Sequence, residues 1–518
     1  MKNSLNQILI CAIVAMCCTF FGCTTREPSD FCENPHFPCI YPDYTNITIP
    51  PNIAPMNFEI QTEGSAFLTK IFGKNGKPVF VAGKQVTIPA ASWQDLLEKN
   101  QGEEIQFLIY TKIDESWQRY APITNKVAKD PIDGWITYRL IEPGYERYCD
   151  IEINQRHLSS FEERPFYSND WVTKGQCANC HAFQNWRTDH ILFHVRIDKS
   201  GTLFIQDGEA KKIGLKTEET ISAGAHPSWH PDLNLVVFSV NMTRQIFHTV
   251  SKAKIEVLDG ASDLVLYDVD ANEITHILKT DDRLETFPHW SPDGNWLYYC
   301  SAQADFDIDT SEQADFYEGT EATDLDAQMS QMVKHFDQIR YNLMRLPFDR
   351  QTKQFGMPEI VVDAVSQEKS VSFPRISPDG RFVMFTLSHY GNFSIWHPES
   401  DLWLHEIQTG ENRPLAEVNS EAADSFHNWS SNGRWFVFCT RRDDGSYTRL
   451  YLAHFDESGI ASKPFLLPQY DPSQNLDLMK SYNVPEFTVE PAQIPFMELL
   501  QALQSEAEHL TYRSHDEQ

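Results

Sequence analysis

Phe287-Pro-His-Trp290-Ser-Pro-Asp-Gly294 is the stretch that decides the fold, because the chain contains four versions of it. Pro at the second turn position presets φ, Asp or Asn closes the turn through its side chain, and Gly takes the position that favours a positive φ. An apolar run follows each version, here residues 296–301, and such a run suits a strand covered on both faces by neighbouring sheets. The other three versions lie at residues 226–232, 373–380 and 426–433.

These repeats resemble those of TolB-like, WD-repeat-like β-propellers, and the resemblance covers residues 183–470. It implies a β-propeller, for which we predict six blades, with five or seven as alternatives. An earlier blade without the motif fits residues 190–215. TolB-like propellers generally serve as protein-interaction platforms, although a fold alone does not settle a role.

A second β pattern precedes the repeats. Runs rich in apolar residues, such as 77–81 and 104–110, are bounded by Gly, Pro or Asn, as strands between turns usually are. One short helix is predicted over residues 92–99 with Ser92 as its N-cap. The chain is therefore predicted to be all-β. Its predicted parts are an immunoglobulin-like β-sandwich over 51–160, a segment over 161–190 that contains Cys177-Ala-Asn-Cys180-His181, the β-propeller over 183–470 and a C-terminal tail over 471–518.

The first residues resemble an export signal. Lys2 precedes an apolar run over residues 8–21, which is short of the roughly 20 residues that span a bilayer and is typical of a signal-peptide core. Gly22-Cys23 ends the run and resembles a lipoprotein cleavage site, so we predict a signal peptide over 1–22, a lipid on Cys23 and a Pro-rich tether over 23–50. Thr24 stands where Asp would retain some lipoproteins at the inner membrane, so we expect an outer-membrane lipoprotein. An ordinary cleaved signal peptide and an uncleaved anchor are the alternatives.

Charge and motif content narrow the possible functions. The formal net charge is −30, which argues against a nucleic-acid partner and against binding an anionic membrane through charge. No G-x-S-x-G motif is present, so a propeller-capped serine hydrolase is not expected. Residues 305–326 are strongly acidic but lack the pattern of a calcium loop, so a solvated loop is expected there.

Cys177-Ala-Asn-Cys180-His181 is the motif that carries chemistry. It matches C-x-x-C-H, the attachment motif of c-type haem. Two cysteines at this spacing reach the two vinyl groups of one porphyrin, and His181 is then the proximal ligand of the iron. We therefore predict one covalent haem c on Cys177 and Cys180. The chain is similar to lipoproteins in which a TolB-like propeller follows a single C-x-x-C-H segment, a resemblance that implies architecture and cofactor more than activity.

Three other interpretations of this motif stay open. In the first, the cysteines form a structural disulfide beside an incidental histidine. In the second, they are a thioredoxin-like redox pair, although the βαβ pattern of that fold is missing. In the third, they are half of a zinc site, although no second cysteine pair has zinc spacing.

His194 is the candidate for the distal ligand of the haem iron. It interrupts the apolar run 191–195, and a buried imidazole costs free energy unless it has a partner. The iron is one such partner, and a backbone carbonyl is the alternative. Trp171, Phe183 and Trp186 flank the motif and either shield a haem from water or belong to the core.

Three functions are compatible with these features. The leading prediction is an electron-transfer haemoprotein of the cell envelope, with an unknown redox partner docked on the propeller or the sandwich. The second is a scaffold that binds a protein or glycan and has no redox role. The third is a haem enzyme of the peroxidase kind, which needs an open distal side; an enzyme is the less favoured class.

The remaining cysteines carry weaker predictions. Cys32 and Cys39 lie in a Pro-rich segment, where an oxidising compartment permits a disulfide, and either of them could instead pair with Cys149. Cys300 and Cys439 follow the repeat at equivalent positions and are predicted to be small residues in strand packing.

Overall fold

A computed structural model describes two compact units of the chain. Of the described residues, the first unit contains 26–46, 55–127 and 470–472, and the second contains 47–54, those between 128 and 469, and 473–514. Strands dominate the structure, so the predicted all-β class is confirmed. The described residues are 26–142, 150–171, 176–249, 253–304 and 332–514.

Several predictions fall outside these described residues. They concern the signal peptide 1–22, the lipidated Cys23, the third candidate for a disulfide, Cys149, and the acidic insert 305–326. They therefore stay predictions.

The first unit is a β-sandwich of two sheets. The rings of Phe58 in the smaller sheet and Phe107 in the larger one lie 6.1 Å apart, and both side chains are buried, so the core lies between the sheets. The larger sheet contains Cys32–Asn34, Ala66–Gly73, Val79–Ala82, Glu104–Ile113, Ser116–Tyr120 and Ile123–Val127. The smaller sheet contains Ile40–Tyr41, Phe58–Ile60 and Gln85–Val86.

One helix, Ala90–Lys99, belongs to this sandwich. It begins two residues before the predicted start, and its N-cap is Pro89 rather than Ser92. Pro89 has a φ of −61°, the value that its ring imposes and that suits a helix start, and no side-chain hydrogen bond caps the helix there. Trp93 is buried and its ring lies 6.4 Å from that of Phe107, which joins the helix to the sandwich core.

The second unit is a β-propeller of six blades, as predicted. In each blade four strands form an antiparallel sheet, and the strand at one edge of it, called the inner strand, lines the propeller channel. Blade 1 contains Gln176–Phe183, His190–Ile197, Gly201–Gln206 and Glu209–Gly214. Blade 2 contains Gly224–Trp229, Leu235–Phe247, Ile255–Asp268 and Glu273–Leu278. Blade 3 contains Arg283–Trp290, Trp296–Gln303, Tyr341–Asp349 and Glu359–Val362. Blade 4 contains Ser370–Ile376, Phe382–Ser388, Asp401–Glu406 and Asn412–Pro414. Blade 5 contains Asp424–Trp429, Trp435–Thr440, Arg449–His454 and Phe465–Leu466.

Blade 6 closes the ring with strands from both ends of the unit. Its inner strand, Ser481–Thr488, pairs with Trp135–Ile141, and the sheet continues through Glu152–His157 to Glu163–Ser168. The structure thus draws the boundaries differently from the prediction. Residues 135–157 build a blade instead of the sandwich, and part of the predicted tail supplies that blade's inner strand. Such a pairing joins distant parts of the chain, so no local pattern indicates it.

The end of the chain covers the outer edges of the first two blades. The helix Phe496–Gln504 buries Leu499 and Leu503 in the same core as the blade 1 residues. Glu508–His509 then pairs with the outer strand of blade 1, and Thr511–Tyr512 pairs with that of blade 2.

The repeated turns have the predicted geometry. Gly294, Gly380 and Gly433 have φ values of 67°, 69° and 64°, a region that glycine adopts without steric cost. The Asp293 carboxylate accepts a hydrogen bond from the backbone N–H of Asn295 at 3.1 Å, which closes the turn through its side chain. The prediction of tight turns at these glycines is confirmed.

Candidate functional site in the propeller channel

A β-bulge recurs in the inner strand of every blade. At each bulge one residue has a φ between 47° and 53°, and the strand pairing shifts beside it. A positive φ is uncommon for residues other than glycine, so its recurrence at equivalent positions is a property of the repeat. We call these residues the bulge ring; they are Cys180, His226, Phe287, Phe373, Phe426 and Val484.

The C-x-x-C-H motif overlaps this propeller repeat. It lies in Gln176–Phe183, the inner strand of blade 1, so Cys180 and His181 occupy the positions of Phe426 and His427 in blade 5. The strand lacks the Ser-Pro-Asp-Gly turn that follows other copies. For that reason the sequence predicted the start of this blade only at residue 190.

The bulge ring divides the channel into two cavities. The aromatic rings of His226 and Phe287 lie 4.3 Å apart, those of Phe287 and Phe373 4.1 Å, and those of Phe373 and Phe426 4.6 Å. Residues that precede the bulges line one cavity, and residues that follow them line the other. These packed aromatic rings lie between the two cavities.

The first cavity, which we call the cysteine chamber, has a volume of about 540 Å³ and is lined by Cys177, Cys180, His194 and His226 among others. Side chains alternate between the faces of a strand, so residues three apart ordinarily face opposite ways. The bulge at Cys180 interrupts that alternation, and both cysteines lie in the wall of one cavity. The bulge therefore brings together the pair that the sequence singled out.

Two arginines, Arg139 and Arg196, also line the cysteine chamber. Burial nevertheless raises the pKa of the Cys177 thiol, although both arginines act in the opposite direction. Reactive thiols of redox pairs have lowered pKa values, so this environment does not support the thioredoxin-like alternative.

His194 lies in the cysteine chamber with one ring nitrogen available. Its Nδ1 is 2.7 Å from the hydroxyl of Thr202, whereas its buried Nε2 has no hydrogen-bond partner among the described residues. Burial, assisted by Arg196 and His226, holds its pKa well below the usual range. A neutral imidazole with a free nitrogen is the form that binds a metal, so this residue fits a haem iron ligand.

His226 is another histidine near the motif, and the sequence reasoning preferred His194 to it as the iron ligand. His226 faces the cysteine chamber from blade 2, and burial lowers its pKa to about 3. The sequence offered one signal for this residue, which is its position in the repeat. The other three copies have Phe at that position, so a histidine there stands out.

His181 does not lie in the cysteine chamber; it lines the second cavity. Burial and Arg139 lower its pKa to about 3, opposed by the nearby backbone of Val484 and Thr137. Neither ring nitrogen has a hydrogen-bond partner of ordinary geometry among the described residues. The two histidines predicted as iron ligands thus lie on opposite sides of the bulge ring.

His427 occupies the same environment in blade 5. Its Nε2 donates a hydrogen bond to the Met384 carbonyl at 2.9 Å, and burial lowers its pKa to about 3. The neighbouring backbone groups come from the preceding blade in both cases. A histidine at this position is therefore compatible with propeller packing alone.

The hairpin of blade 2 covers part of the cysteine chamber. Its two strands are 13 and 14 residues long, and Gln245 in the extended half lines the cavity. Glu256 in that half accepts hydrogen bonds at 2.8 Å from the Tyr390 hydroxyl and from Nε2 of His397. These contacts anchor the hairpin to the loops of blade 4.

The three aromatic residues that flank the motif do not line the cysteine chamber. The ring of Trp171 packs 5.2 Å from that of Phe496 in the C-terminal helix. Phe183 and Trp186 line the second cavity, and the indole N–H of Trp186 donates to the carbonyl of Trp429 at 2.8 Å. Their surroundings match the core alternative.

No disulfide joins the other described cysteines to one another. Cys32 and Cys39 are exposed. Cys300 and Cys439 are buried in the second strands of blades 3 and 5, which confirms the prediction that they belong to strand packing.

Comparisons with known proteins give likenesses of fold. No protein family and no curated protein matches the chain. TolB from Acinetobacter baumannii is 13% identical, with 77% of this chain and 85% of that chain covered and a TM-score of 0.41. Prolyl oligopeptidase B from Galerina marginata is 9% identical, with 70% and 42% covered and a TM-score of 0.35. A DUF4784 family protein from Bacteroides caccae is 9% identical, with 74% and 96% covered and a TM-score of 0.24.

Within the described ranges, no helix is long and apolar enough to cross a membrane. The β-propeller itself is established by the strand topology described above.

Proposed function

We propose that this protein is a haem c lipoprotein of the cell envelope that transfers electrons, with the haem in the cysteine chamber. One observation carries the proposal: Cys177, Cys180 and His194 line the same cavity. Each thiol would add its S–H across one vinyl group of the porphyrin, so attachment forms two thioethers without loss of atoms.

The chamber suits such a group in size and charge. Its volume of about 540 Å³ falls within the roughly 300–1,000 Å³ of small-molecule and cofactor sites. Haem carries two carboxylates, and Arg139 and Arg196 in the chamber wall would offset their negative charge. The chain's part is thus to hold the group, neutralise it and limit its contact with water.

Of the two histidines predicted as iron ligands, His194 is the one that we assign with the stronger structural support. Its Nε2 is buried without a partner in the chamber of the cysteines, whereas His181 lies across the bulge ring. The proximal role of His181 stays a prediction, and a variant of each histidine separates the two assignments.

When bound, a haem exchanges single electrons, and the partner would be another envelope protein docked on the propeller. The lipid on Cys23 and the outer-membrane location belong to the same proposal, because they would keep the protein near that partner.

The test is covalent haem on the full-length protein. Protein produced with a cytochrome c maturation system should keep its haem on a denaturing gel. The double variant Cys177→Ala and Cys180→Ala should lose this signal. The matched control is Cys300→Ala, which removes a buried thiol outside the chamber and should keep the haem. A colourless wild-type protein from a competent host would exclude the cofactor.

A second candidate function, a binding scaffold without a redox role, is favoured by one specific observation. Cys180 and His181 stand at positions that the repeat fills in every blade, and His427 shows that a histidine fits there through packing. A colourless but stably folded protein would support the scaffold.

A further inference from the structure

The second cavity, which we call the tryptophan chamber, has no part in the proposed haem site. It lies beyond the bulge ring, has a volume of about 120 Å³, and is lined by Trp229, Trp290 and Trp429 among others. Its size is well below the roughly 300–1,000 Å³ of typical ligand pockets. Any ligand that it holds is therefore small.

Five polar side chains of this chamber come from one repeat position. Each lies two residues after a member of the bulge ring, so the propeller brings these side chains together around its axis. The set contains one cation and one acid among neutral groups: Ser228, His289, Arg375, Asn428 and Glu486.

Arg375 has few partners for its charge. Among the described residues, the only hydrogen bond of its guanidinium runs from Nη1 to the carbonyl of Pro374 at 2.9 Å, and no described carboxylate forms an ion pair with it within 4 Å. A guanidinium has five N–H donors in a planar fork. Most of these donors have no partner in the protein, and Arg375 lines the chamber, so an anion there could pair with them.

Glu486 does not supply this anion. Its carboxyl accepts a hydrogen bond from the backbone N–H of Phe183 at 3.0 Å, and burial raises its pKa to about 8 despite Arg375. His289, which also lines the chamber, is neutral because burial holds its pKa well below the usual range. Arg375 is the arginine that lines the chamber, and burial lowers its pKa as well, so a partner of opposite charge would stabilise its charged form.

We propose that the tryptophan chamber binds a small organic carboxylate, with the acid group on Arg375 and a flat apolar body against the tryptophans. A planar guanidinium matches the geometry of a carboxylate through two parallel hydrogen bonds. The indole walls favour an apolar, flat ligand body over a fully hydrated ion such as inorganic phosphate. The site is independent of the haem, so a colourless protein would still bind the acid.

Benzoate is a suitable probe for this chemistry. Isothermal titration of the detergent-solubilised full-length protein should show binding of benzoate, and benzyl alcohol, which lacks the charge, should bind at least tenfold more weakly. Inorganic phosphate should also bind at least tenfold more weakly. Absence of benzoate binding up to millimolar concentrations, or equal binding of benzyl alcohol or phosphate, would overturn the proposal without any variant.

Variants locate the binding. Arg375→Gln should weaken benzoate at least tenfold, because it removes the charge. Arg381→Gln, in the exposed turn of the same blade, should bind as the wild type does. If Arg375→Gln fails to fold, Trp229→Phe takes its place and should weaken benzoate while leaving the far-ultraviolet circular dichroism unchanged. A folded variant of either kind that binds benzoate as tightly as the wild type would refute the site.

Discussion

Substitution of the turn glycine Gly294 by valine tests the predicted tight turn of the propeller. At this position backbone strain and steric crowding both raise the free energy of the folded protein. The φ of Gly294 is 67°, and a β-branched residue held at such a φ costs about 1–3 kcal/mol. A Cβ at this position would also lie 2.4 Å from the ring of His230 and 3.3 Å from Pro231. His230 is fully buried and donates through Nε2 to the carbonyl of Gly294 at 3.1 Å, so it has no free space into which to move.

Crowding of a packed core adds about 1–3 kcal/mol, so we expect Gly294→Val to destabilise the protein by roughly 2–6 kcal/mol. The matched control is Gly410→Val in blade 4, where φ is 74° and a Cβ would meet nothing within 4 Å. That variant should carry only the backbone strain of about 1–3 kcal/mol.

The assay is urea unfolding of the full-length variants, followed by circular dichroism and by tryptophan fluorescence. Because the chain has two units, the comparison uses midpoints measured under one set of conditions. Gly294→Val should unfold at a clearly lower urea concentration than Gly410→Val. Equal midpoints for the two variants would refute the assigned contact with His230, and midpoints equal to the wild type would refute the tight turns.

Three further predictions address the site, the anchor and the pH dependence. His194→Ala should convert a low-spin ferric spectrum to high-spin, because one of two strong axial ligands is lost; a variant that stays low-spin would exclude His194 as a ligand, and a high-spin spectrum of His181→Ala would identify His181 as the other ligand. Cys23→Ala should move the protein from the membrane to the soluble fraction or block its processing, and unchanged fractionation would contradict the lipid anchor. Since burial raises the pKa of Glu486 to about 8 from about 4.3 in an unfolded chain, the folded state holds this proton more tightly. The stability that this proton contributes is present below about pH 4 and is lost as the pH rises through about 8. Because Glu486→Gln removes the titrating group, the urea midpoint of this variant should decline less over that interval than the midpoint of the wild type. Parallel curves of urea midpoint against pH for the two proteins would disprove the assignment.

The repeat was readable from the sequence because its information is local. A turn such as Ser291 to Gly294 is determined by residues next to one another, through the φ of glycine and the side chain of aspartate. Four copies of that pattern were enough to predict the propeller and its six blades. The helix at Ala90–Lys99 was also found, although its start was wrong because a proline rather than a serine begins it.

Blade 6 and the inner strand of blade 1 were not predicted, because their evidence is not local. Trp135–Ile141 becomes part of a blade only by pairing with Ser481–Thr488, and nothing in either strand identifies the other. The residues that line the two chambers could not be predicted from the sequence for a related reason. Whether a strand residue such as Cys180 faces a cavity depends on a bulge, and a bulge changes the side that each following residue faces.

The sequence by itself determined the repeating turns, the class of fold and the pair Cys177 and Cys180 as candidates for covalent chemistry, because each depends on residues close together in the chain. Only the tertiary structure decided which groups share a cavity. It placed both cysteines with His194, and it set His181 apart with Arg375 and Glu486. The physical reason is that the channel collects one residue from each of six strands, and their register and bulges are settled only when all the blades have closed.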